Sequence, residues 1–253
     1  MKKAIYDRMQ VLVCDSQQAA GAAAADDLAE ILRAAIAERG EAAIIVATGN
    51  SQLSFMKAIR ARPDIRWGQV TVFHMDEYLH MSDQHPASFR RYIREQLTDR
   101  VGPRVFYGIV GDAADPEQEM ARYADLLRRH DPVACILGIG ENGHLAFNDP
   151  PADFDTDRLI HIVDLDETCR RQQVGEGHFA NLEQVPAQAI SLTVPALLRP
   201  AHVLAVVPEA RKAQAVRDAL LGPVTPDCPA SILRTKPQVT LYLDPDSASL
   251  LDR

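Results

Sequence analysis

Val133-Ala-Cys-Ile-Leu137 runs directly into Gly138-Ile-Gly-Glu-Asn-Gly-His-Leu-Ala-Phe-Asn-Asp-Pro150. The first five residues form a short, well-bounded apolar run, as is typical of a buried β-strand. Three glycines follow at 138, 140 and 143, where glycine allows positive φ and a close approach of the backbone to a ligand. Open α/β sheets carry their chemistry just beyond the carboxyl ends of strands. The stretch therefore predicts an α/β sheet with a functional turn after this strand.

Three polar residues of this turn are candidates for chemistry: Asn142, His144 and Asp149. An imidazole titrates near neutral pH, and it has an amide and a carboxylate as neighbours here. A purely structural histidine also fits this position. The glycine spacing matches a dinucleotide-binding fingerprint, but that motif follows the first strand of its unit and opens a long helix, whereas Pro150-Pro151 interrupts this segment. We therefore do not expect dinucleotide binding.

Strand-like and helix-like segments alternate along the rest of the chain. Apolar runs predict strands at 10–14, 42–47, 70–73, 104–107, 133–137, 159–163, 203–207 and 238–243. Alanine-rich or amphipathic patterns predict helices at 16–39, from the loop at 48–51 to about 62, 88–97 with Pro86 at its start, 116–130, 209–221 and 245–251. The segment between 164 and 202 is predicted to be mostly loop. This alternation predicts one domain over residues 1–253, of class α/β, with a mostly parallel, modified Rossmann-like sheet in a three-layer α/β/α arrangement.

The charge, hydrophobicity and cysteine content of the chain exclude several classes of binding partner and site. The 253 residues carry a net charge of −8 and contain no lysine or arginine run, so neither nucleic acid nor an anionic membrane is an expected partner. No apolar run approaches membrane-spanning length and the N-terminus has no apolar signal segment, so a cytoplasmic protein is expected. Four scattered cysteines without C-x-x-C spacing predict neither a zinc site nor a disulfide framework: Cys14, Cys135, Cys169 and Cys228.

Two more loops after predicted strands carry polar residues. Thr48, Gly49, Asn50 and Ser51 combine hydroxyls, a glycine and the start of a helix, a combination that suits an anion such as phosphate, although Ser51 fits equally well as a helix N-cap. The pair Asp76-Glu77 is either solvated or, if buried, contains one carboxyl whose pKa rises towards that of a useful base. No metal site is predicted, because the nearest potential ligands follow no familiar spacing: His74, Asp76, His80 and His85.

Four motifs, in order along the chain, carry a resemblance to a known family. They are Thr48–Ser51, Phe73-His-Met-Asp-Glu-Tyr-Leu79 with His85-Pro86-x-Ser88-Phe89, Gly138–Pro150, and Glu209-Ala-Arg-Lys-Ala213. These segments resemble the phosphate loop, the strand-three signature, the ring-opening loop and the lysine segment of glucosamine-6-phosphate deaminases. The related 6-phosphogluconolactonases share the fold, but their corresponding motifs are similar to Asp-Glu-Arg and Gly-His-Thr-Ala-Ser. This chain has Asp76-Glu77-Tyr78 and Gly143-His-Leu-Ala-Phe147 at these places and therefore resembles the deaminases more closely.

The resemblance implies an enzyme that converts an amino-sugar 6-phosphate to a ketose 6-phosphate plus ammonia, with no metal or organic cofactor. By resemblance His144 moves protons during ring opening, Asp149 orients it with the help of Asn142, and Asp76 carries the proton from C2 to C1. The phosphate is expected to be held by residues of the first loop and by a lysine: Thr48, Gly49, Asn50, Ser51 and Lys212.

Three positions depart from the family pattern. Asp149 stands where the family commonly has glutamate, and the family's phosphate-binding arginine aligns with Val174 or Gly175. Arg170 or Arg171, one turn earlier, is the expected substitute, although both also suit a solvated surface. The Arg-x-Lys-Thr segment of allosteric members is not evident around residues 160–163, so no such activation is expected.

Two alternatives from other classes remain beside the deaminase interpretation. One is a lactone or ester hydrolase acting on a sugar phosphate, and the other is a non-catalytic sugar-phosphate sensor. The sequence leaves open whether glucosamine, galactosamine or another amino sugar is the substrate, and it is compatible with a homo-oligomer without specifying one.

Overall fold

A mixed β-sheet forms the middle layer of the computed structural model, which describes residues 1–175, 177 and 179–251. The strands of the described residues are β1 Lys2–Tyr6, β2 Met9–Val13, β3 Ala42–Val46, β4 Val70–His74, β5 Asp76–Tyr78, β6 Val105–Tyr107, β7 Ala134–Leu137, β8 Ile160–Asp164, β9 Gln188–Leu192, β10 His202–Val207 and β11 Val239–Leu243. The central sheet has the order β1-β2-β11-β10-β7-β3-β4-β6, and only β1 and β2 pair antiparallel within it. The predicted mostly parallel sheet is therefore confirmed.

The helices of the described residues cover both faces of this sheet. They are α1 Gln17–Arg39, α2 Leu53–Arg60, α3 Phe89–Ile93, α4 Asp99–Val101, α5 Pro116–His130, α6 Glu167–Gly175, α7 Val194–Leu197 and α8 Ala213–Leu221. Local signals explain the long ones. Ser16 caps α1 by accepting a hydrogen bond from the backbone N–H of Ala19, and Gly40, at φ +79°, ends it in the left-handed conformation.

Strand β3 illustrates why the sheet has two covered faces. All of its residues are buried, and they alternate between two apolar clusters. Ala43 and Ile45 pack on the side of α5 and α8, whereas Ile44 and Val46 pack on the side of α1 and α2. The predicted three-layer α/β/α architecture is confirmed. Among the described residues, no helix has both the length and the hydrophobicity needed to cross a bilayer.

The largest wrong prediction concerns the segment between 164 and 202, which contains α6, β9 and α7 rather than mostly loop. Strand β9 pairs antiparallel with both β5 and β8 in a second, three-stranded sheet. Its partners are distant in the sequence, and its pattern includes the fully buried Ser191, so its apolar periodicity is weak. Strand β1 was also missed, because this edge strand is mostly exposed.

Two predicted helix positions are wrong as well. Helix α3 begins at Phe89, not at Pro86, because Ser88 is its N-cap. Residues 245–251 form consecutive turns instead of a helix. The Asp244 carboxylate accepts the backbone N–H of Ser247 as a helix cap would, but the backbone bonds of Ser249 and Leu251 that follow reach back only three residues.

The order of the strands reverses at β3. The chain runs outward from β3 to β4 and β6, then returns to β7 on the other side of β3 and continues to β10 and β11. Such a reversal leaves a crevice beyond the carboxyl ends of the two diverging strands, where α/β proteins bind ligands. The loops after β3 and β7 therefore flank the expected binding crevice.

Candidate active site

A cavity lies at the carboxyl ends of the four adjacent strands β10, β7, β3 and β4. Six of the residues predicted for the site line it: Thr48, Gly49, Ser51, Asp76, His144 and Lys212. They come from the loop after β3, from β5, from the glycine turn after β7 and from the segment after β10. Parallel strands bring their carboxyl ends to one edge, so residues far apart in sequence converge here.

His144 is held from behind by two side chains of its own turn. Its Nδ1 lies 3.2 Å from Asp149 Oδ1, although the two atoms are not aligned for a hydrogen bond. Asn142 Nδ2 donates to the same carboxylate oxygen at 3.0 Å, and Asn142 Oδ1 accepts the backbone N–H of His144 at 3.1 Å. Burial would raise the pKa of Asp149, but His144 and Asn142 outweigh burial and hold this pKa below its usual value. The Asp149 carboxylate thus still lies beside the imidazole, although its side chain is one methylene shorter than the glutamate that the resemblance implied.

Gly140 is required by the position of the imidazole. A Cβ atom at residue 140 would lie 2.3 Å from both Cε1 and Nε2 of His144, so the ring packs flat against this backbone. Gly143 adopts a φ of +85°, which is the positive φ that glycine was expected to allow in this turn. The close approach predicted for these glycines is therefore made to the histidine of the same turn.

Asp76 is a buried carboxyl with unsatisfied hydrogen-bonding capacity. It is 5% exposed, and its Oδ1 has no hydrogen-bond partner among the described residues. Burial, and then the charge of the adjacent Glu77, raise the pKa of Asp76 well above its ordinary value. This environment is the one that a carboxylate base needs in order to have appreciable basicity near neutral pH.

Glu77, the next residue, is fully buried and surrounded by donors. Its Oε1 accepts the backbone N–H groups of Tyr78 and Phe89, at 3.0 and 3.1 Å. Its Oε2 accepts the Ser88 hydroxyl at 2.7 Å and the backbone N–H of Arg90 at 3.0 Å, and the Arg90 Nε lies 3.4 Å away. Burial raises the pKa of Glu77, and these donors oppose that rise. The carboxylate ties β5 to the start of α3.

The loop at residues 48–51 and the lysine form the opposite wall. Gly49 has a φ of +100°, and the Gln52 side chain donates both to Ser51 Oγ at 3.2 Å and to the Val206 carbonyl at 3.0 Å, which joins this loop to β10. Lys212 is only 3% exposed, at the end of a 3₁₀ turn after β10. Asn50 is exposed and is not among the residues that line the cavity.

The two arginines predicted for the phosphate lie elsewhere. The Arg170 guanidinium donates to the carbonyls of Leu182 and Val185 at 2.7 and 3.0 Å, and Arg171 forms an exposed ion pair with Glu167. The structure does not bring either side chain to the cavity wall, because both project from other faces of α6.

Gln172 and Gln173 of α6 line the cavity instead, and sequence reasoning missed them. The Gln173 Oε1 accepts the Tyr78 hydroxyl at 2.8 Å, so its carbonyl side is occupied and its amide donors are available for a ligand. The only signal in the sequence was their position, one or two residues before the place where the family's arginine was sought.

The histidines weighed as metal ligands have structural contacts. The buried His74 Nε2 accepts the backbone N–H of Ile109 at 2.7 Å, and burial, followed by Arg90 and Arg94, lowers the pKa of His74 to about 3. His85 Nδ1 accepts the backbone N–H of Ala87 at 3.1 Å. Each of these two rings thus has one nitrogen that accepts a hydrogen bond from the backbone.

Comparisons with known proteins agree with this architecture. The family model for glucosamine-6-phosphate isomerases/6-phosphogluconolactonase matches residues 15–242. A protein of Exiguobacterium sibiricum named glucosamine-6-phosphate deaminase is 39% identical over 207 residues, which are 81% of this chain and 80% of its own length. A Streptococcus uberis protein of the same name is 32% identical over 244 residues, which are 96% of this chain and its whole length.

Solved structures show the same likeness. A structure of a monomeric glucosamine-6-phosphate deaminase superposes with a TM-score of 0.87 at 27% identity, covering 95% of this chain and 99% of its own. A 6-phosphogluconolactonase of Shewanella baltica shares the fold, with a TM-score of 0.77 at 19% identity and the same coverage of each chain. Since the family model and the relatives span most of the sequence, this chain belongs to the family of enzymes described as glucosamine-6-phosphate isomerases/6-phosphogluconolactonase.

Proposed function

We propose that this chain converts an amino-sugar 6-phosphate, first of all glucosamine 6-phosphate, to a ketose 6-phosphate and ammonia. One observation carries the proposal: the Asp76 carboxyl and the His144 imidazole line one cavity, together with Lys212 and the loop at 48–51. A hexose phosphate has its reacting carbons at one end and its phosphate at the other. A cavity with an acid–base pair and a separate cationic wall suits such a molecule.

Ring opening is the first step, and we assign it to His144. The imidazole takes the proton from the anomeric hydroxyl and delivers a proton to the ring oxygen, which leaves an open-chain aldehyde. Asp149 stabilises the imidazolium formed between these two transfers, because its carboxylate lies 3.2 Å from Nδ1. Asn142 keeps that carboxylate in place.

Isomerisation follows, and we assign it to Asp76. As a carboxylate it removes the proton from C2 while one ammonium proton passes to the carbonyl oxygen at C1, which gives an enolamine. It then returns its proton to C1, which leaves a C1 hydroxyl group and a C2=N iminium ion. Water then adds to C2, and the protonated amine leaves as ammonia, so the overall reaction is both an isomerisation and a hydrolysis. Because burial raises the pKa of Asp76, its ionised form is a stronger base than an ordinary carboxylate.

We assign phosphate binding to Lys212 and to the loop that contains Thr48, Gly49, Asn50 and Ser51. The ammonium group supplies charge, and the hydroxyls and backbone N–H groups of the loop supply directed donors. Gln172 and Gln173 add neutral donors at the wall. We do not assign a phosphate contact to Arg170 or Arg171, whose side chains are engaged outside the cavity.

An aromatic contact favours the deaminase over the lactonase. Tyr78 and Phe147 occupy two of the three positions at which this chain differs from the lactonase motifs, and their ring centroids lie 5.4 Å apart. Tyr78 is fully buried and also packs against Phe89 and Phe179. An arginine, as in the lactonase motif, would bring a charge into this apolar cluster at a high desolvation cost. Tyr78 and Phe147 thus belong to one apolar cluster, which an arginine at residue 78 would disrupt.

The test is to incubate the purified chain with glucosamine 6-phosphate, galactosamine 6-phosphate and mannosamine 6-phosphate, and to measure ammonia and ketose phosphate in equal amounts. We expect both products from glucosamine 6-phosphate. A 6-phosphogluconolactone hydrolysis assay is run in parallel. Acid release from the lactone without ammonia from any hexosamine phosphate would replace the proposal by the lactonase alternative.

A further inference from the structure

Three side chains with metal-binding atoms meet at the back of the cavity. They are His144, Asp149 and Cys169, and one potential ligand atom from each lies within 4.8 Å of the other two. The described residues contain no other such group of three. Cys169 is 1% exposed and comes from the first turns of α6, whereas the other two belong to the glycine turn. The sequence spacing of the cysteines predicted no zinc site, and only the fold brings this thiol to the turn.

Two of the potential ligand atoms lack hydrogen-bond partners among the described residues. These buried atoms are His144 Nδ1 and Asp149 Oδ2, and His144 as a whole is 8% exposed. Native proteins pair nearly all buried polar atoms, and an exception commonly marks a water or an ion. The unsatisfied atoms are thus a second observation, independent of the clustering, that points to a ligand at this place.

The donor set matches one kind of ion best. A thiolate, an imidazole and a carboxylate are the ligands of Zn²⁺, at about 2.0 to 2.3 Å from the metal, and three protein ligands leave a fourth position for water. Tetrahedral geometry at those bond lengths places ligand atoms about 3.3 to 3.8 Å apart. His144 Nδ1 and Asp149 Oδ1 are already 3.2 Å apart, and one ligand atom of each of the three residues lies within 4.8 Å of the other two, so these separations need to close by about 1.5 Å at most. Hard cations such as Mg²⁺ prefer oxygen ligands and do not fit.

We propose that His144, Asp149 and Cys169 form an inhibitory binding site for Zn²⁺. On binding, the thiol loses its proton to solvent, and its sulfur, the His144 Nδ1 and an Asp149 oxygen each donate a lone pair to the metal. The metal then occupies the nitrogen and the carboxylate through which Asp149 stabilises the imidazolium. The binding of Zn²⁺ does not depend on the proposed deaminase function, whereas the inhibition of turnover by Zn²⁺ rests on that proposal.

The experiment is a calorimetric titration of the full chain with Zn²⁺ in the absence of substrate. We expect one ion per chain, and we expect Cys169→Ser to weaken binding at least tenfold, because a neutral hydroxyl is a poor zinc ligand. The matched control is Cys228→Ser, which alters another free cysteine near the glycine turn but outside the cluster, and which should bind as tightly as the wild type. Equal affinity in the wild type and Cys169→Ser, or no binding by the wild type, would overturn the proposal.

A spectroscopic readout on the wild type needs no variant. Co²⁺ added in place of Zn²⁺ should give a thiolate-to-cobalt charge-transfer band, and a cobalt complex without that band would overturn the role of Cys169. In the ammonia assay Zn²⁺ should inhibit the wild type, with recovery on adding EDTA. Because the titration and the cobalt spectrum involve no turnover, a failed deaminase assay would leave the metal site standing, and a failed titration would leave the deaminase proposal standing.

Discussion

On one side of β5 the carboxylate of Glu77 accepts hydrogen bonds from three backbone N–H groups and one hydroxyl, with the Arg90 guanidinium nearby. On the other side the carboxyl of Asp76 lies beside a cavity and has an oxygen without a partner among the described residues. The two residues are adjacent in sequence and equally deep in the protein. Alternation along a strand sends them in opposite directions.

This difference between Glu77 and Asp76 shows that burial alone does not determine the role of a carboxyl group, and that the hydrogen-bond donors around it also matter. Donors around Glu77 satisfy its charge and make it a structural tie between β5 and α3. The same depth without donors raises the pKa of Asp76 and makes its ionised form basic. We therefore expect changes at Glu77 to affect mainly stability and changes at Asp76 to affect mainly turnover.

The largest expected effect comes from Asp76→Asn. Removing a positioned base should lower kcat by about 10²- to 10⁴-fold in the ammonia assay. The variant should also melt at a higher temperature at pH 7. Because the pKa of Asp76 is higher in the folded state than in the unfolded state, its contribution to stability is fully present below the unfolded-state pKa and is lost as the pH rises through the folded-state pKa. Asparagine does not ionise, so the variant avoids this loss. Near-normal turnover would remove Asp76 from its assigned role.

Glu77→Ala tests the other side of the comparison. It leaves the buried Ser88 hydroxyl and two backbone N–H groups of α3 without their acceptor, and it removes the carboxylate that lies 3.4 Å from the Arg90 Nε. The substitution should cost about 3 to 5 kcal/mol in the free energy of unfolding measured with urea. The control is Glu95→Ala, which removes a carboxylate from an exposed ion pair with Arg91 and should cost less than about 1 kcal/mol. Equal losses in the two variants would contradict the structural role of Glu77.

The pH dependence of kcat/KM sharpens the comparison further. Only ionised Asp76 acts as a base, so the rate should fall on the acid side, about tenfold per pH unit, below a midpoint well above the ordinary range of an aspartate. Because the charge of Glu77 helps to raise the pKa of Asp76, Glu77→Gln should move this midpoint to lower pH. A midpoint unchanged by that substitution would show that the two carboxylates are not coupled.

The smallest expected effect is that of Tyr78→Phe, the next residue of β5. The ring and its aromatic contacts stay, but the hydroxyl that fixes Gln173 is lost. One hydrogen bond is worth about 0.5 to 1.5 kcal/mol, so KM should rise by about 2- to 10-fold with kcat nearly unchanged. Tyr242→Phe is the control, since that hydroxyl donates to Asp27 away from the cavity and its loss should leave KM as it is. Unaltered KM in both variants would argue against a substrate contact by Gln173.

Elements with local signals were predicted well from the sequence. Helix α5 has the predicted bounds because Asp115 caps it, Pro116 opens it and its apolar residues recur at helical spacing. The buried parallel strands were recognisable as continuous apolar runs. Strand β9 was not recognisable, because it is defined by partners about 30 and 110 residues away, a separation at which local patterns carry no information.

The same distinction between local signals and long-range contacts applies to the residues of the candidate site. The sequence by itself determined which chemical groups are present and that they follow parallel strands, since glycine spacing, apolar runs and the motifs containing Asp76, His144 and Lys212 are local features. Only the tertiary structure decided that Gln173 rather than Arg170 faces the cavity, that Glu77 is satisfied while Asp76 is not, and that Cys169 meets His144 and Asp149. The physical reason is that the direction of a side chain, the donors around it and its access to water depend on segments packed from elsewhere in the chain.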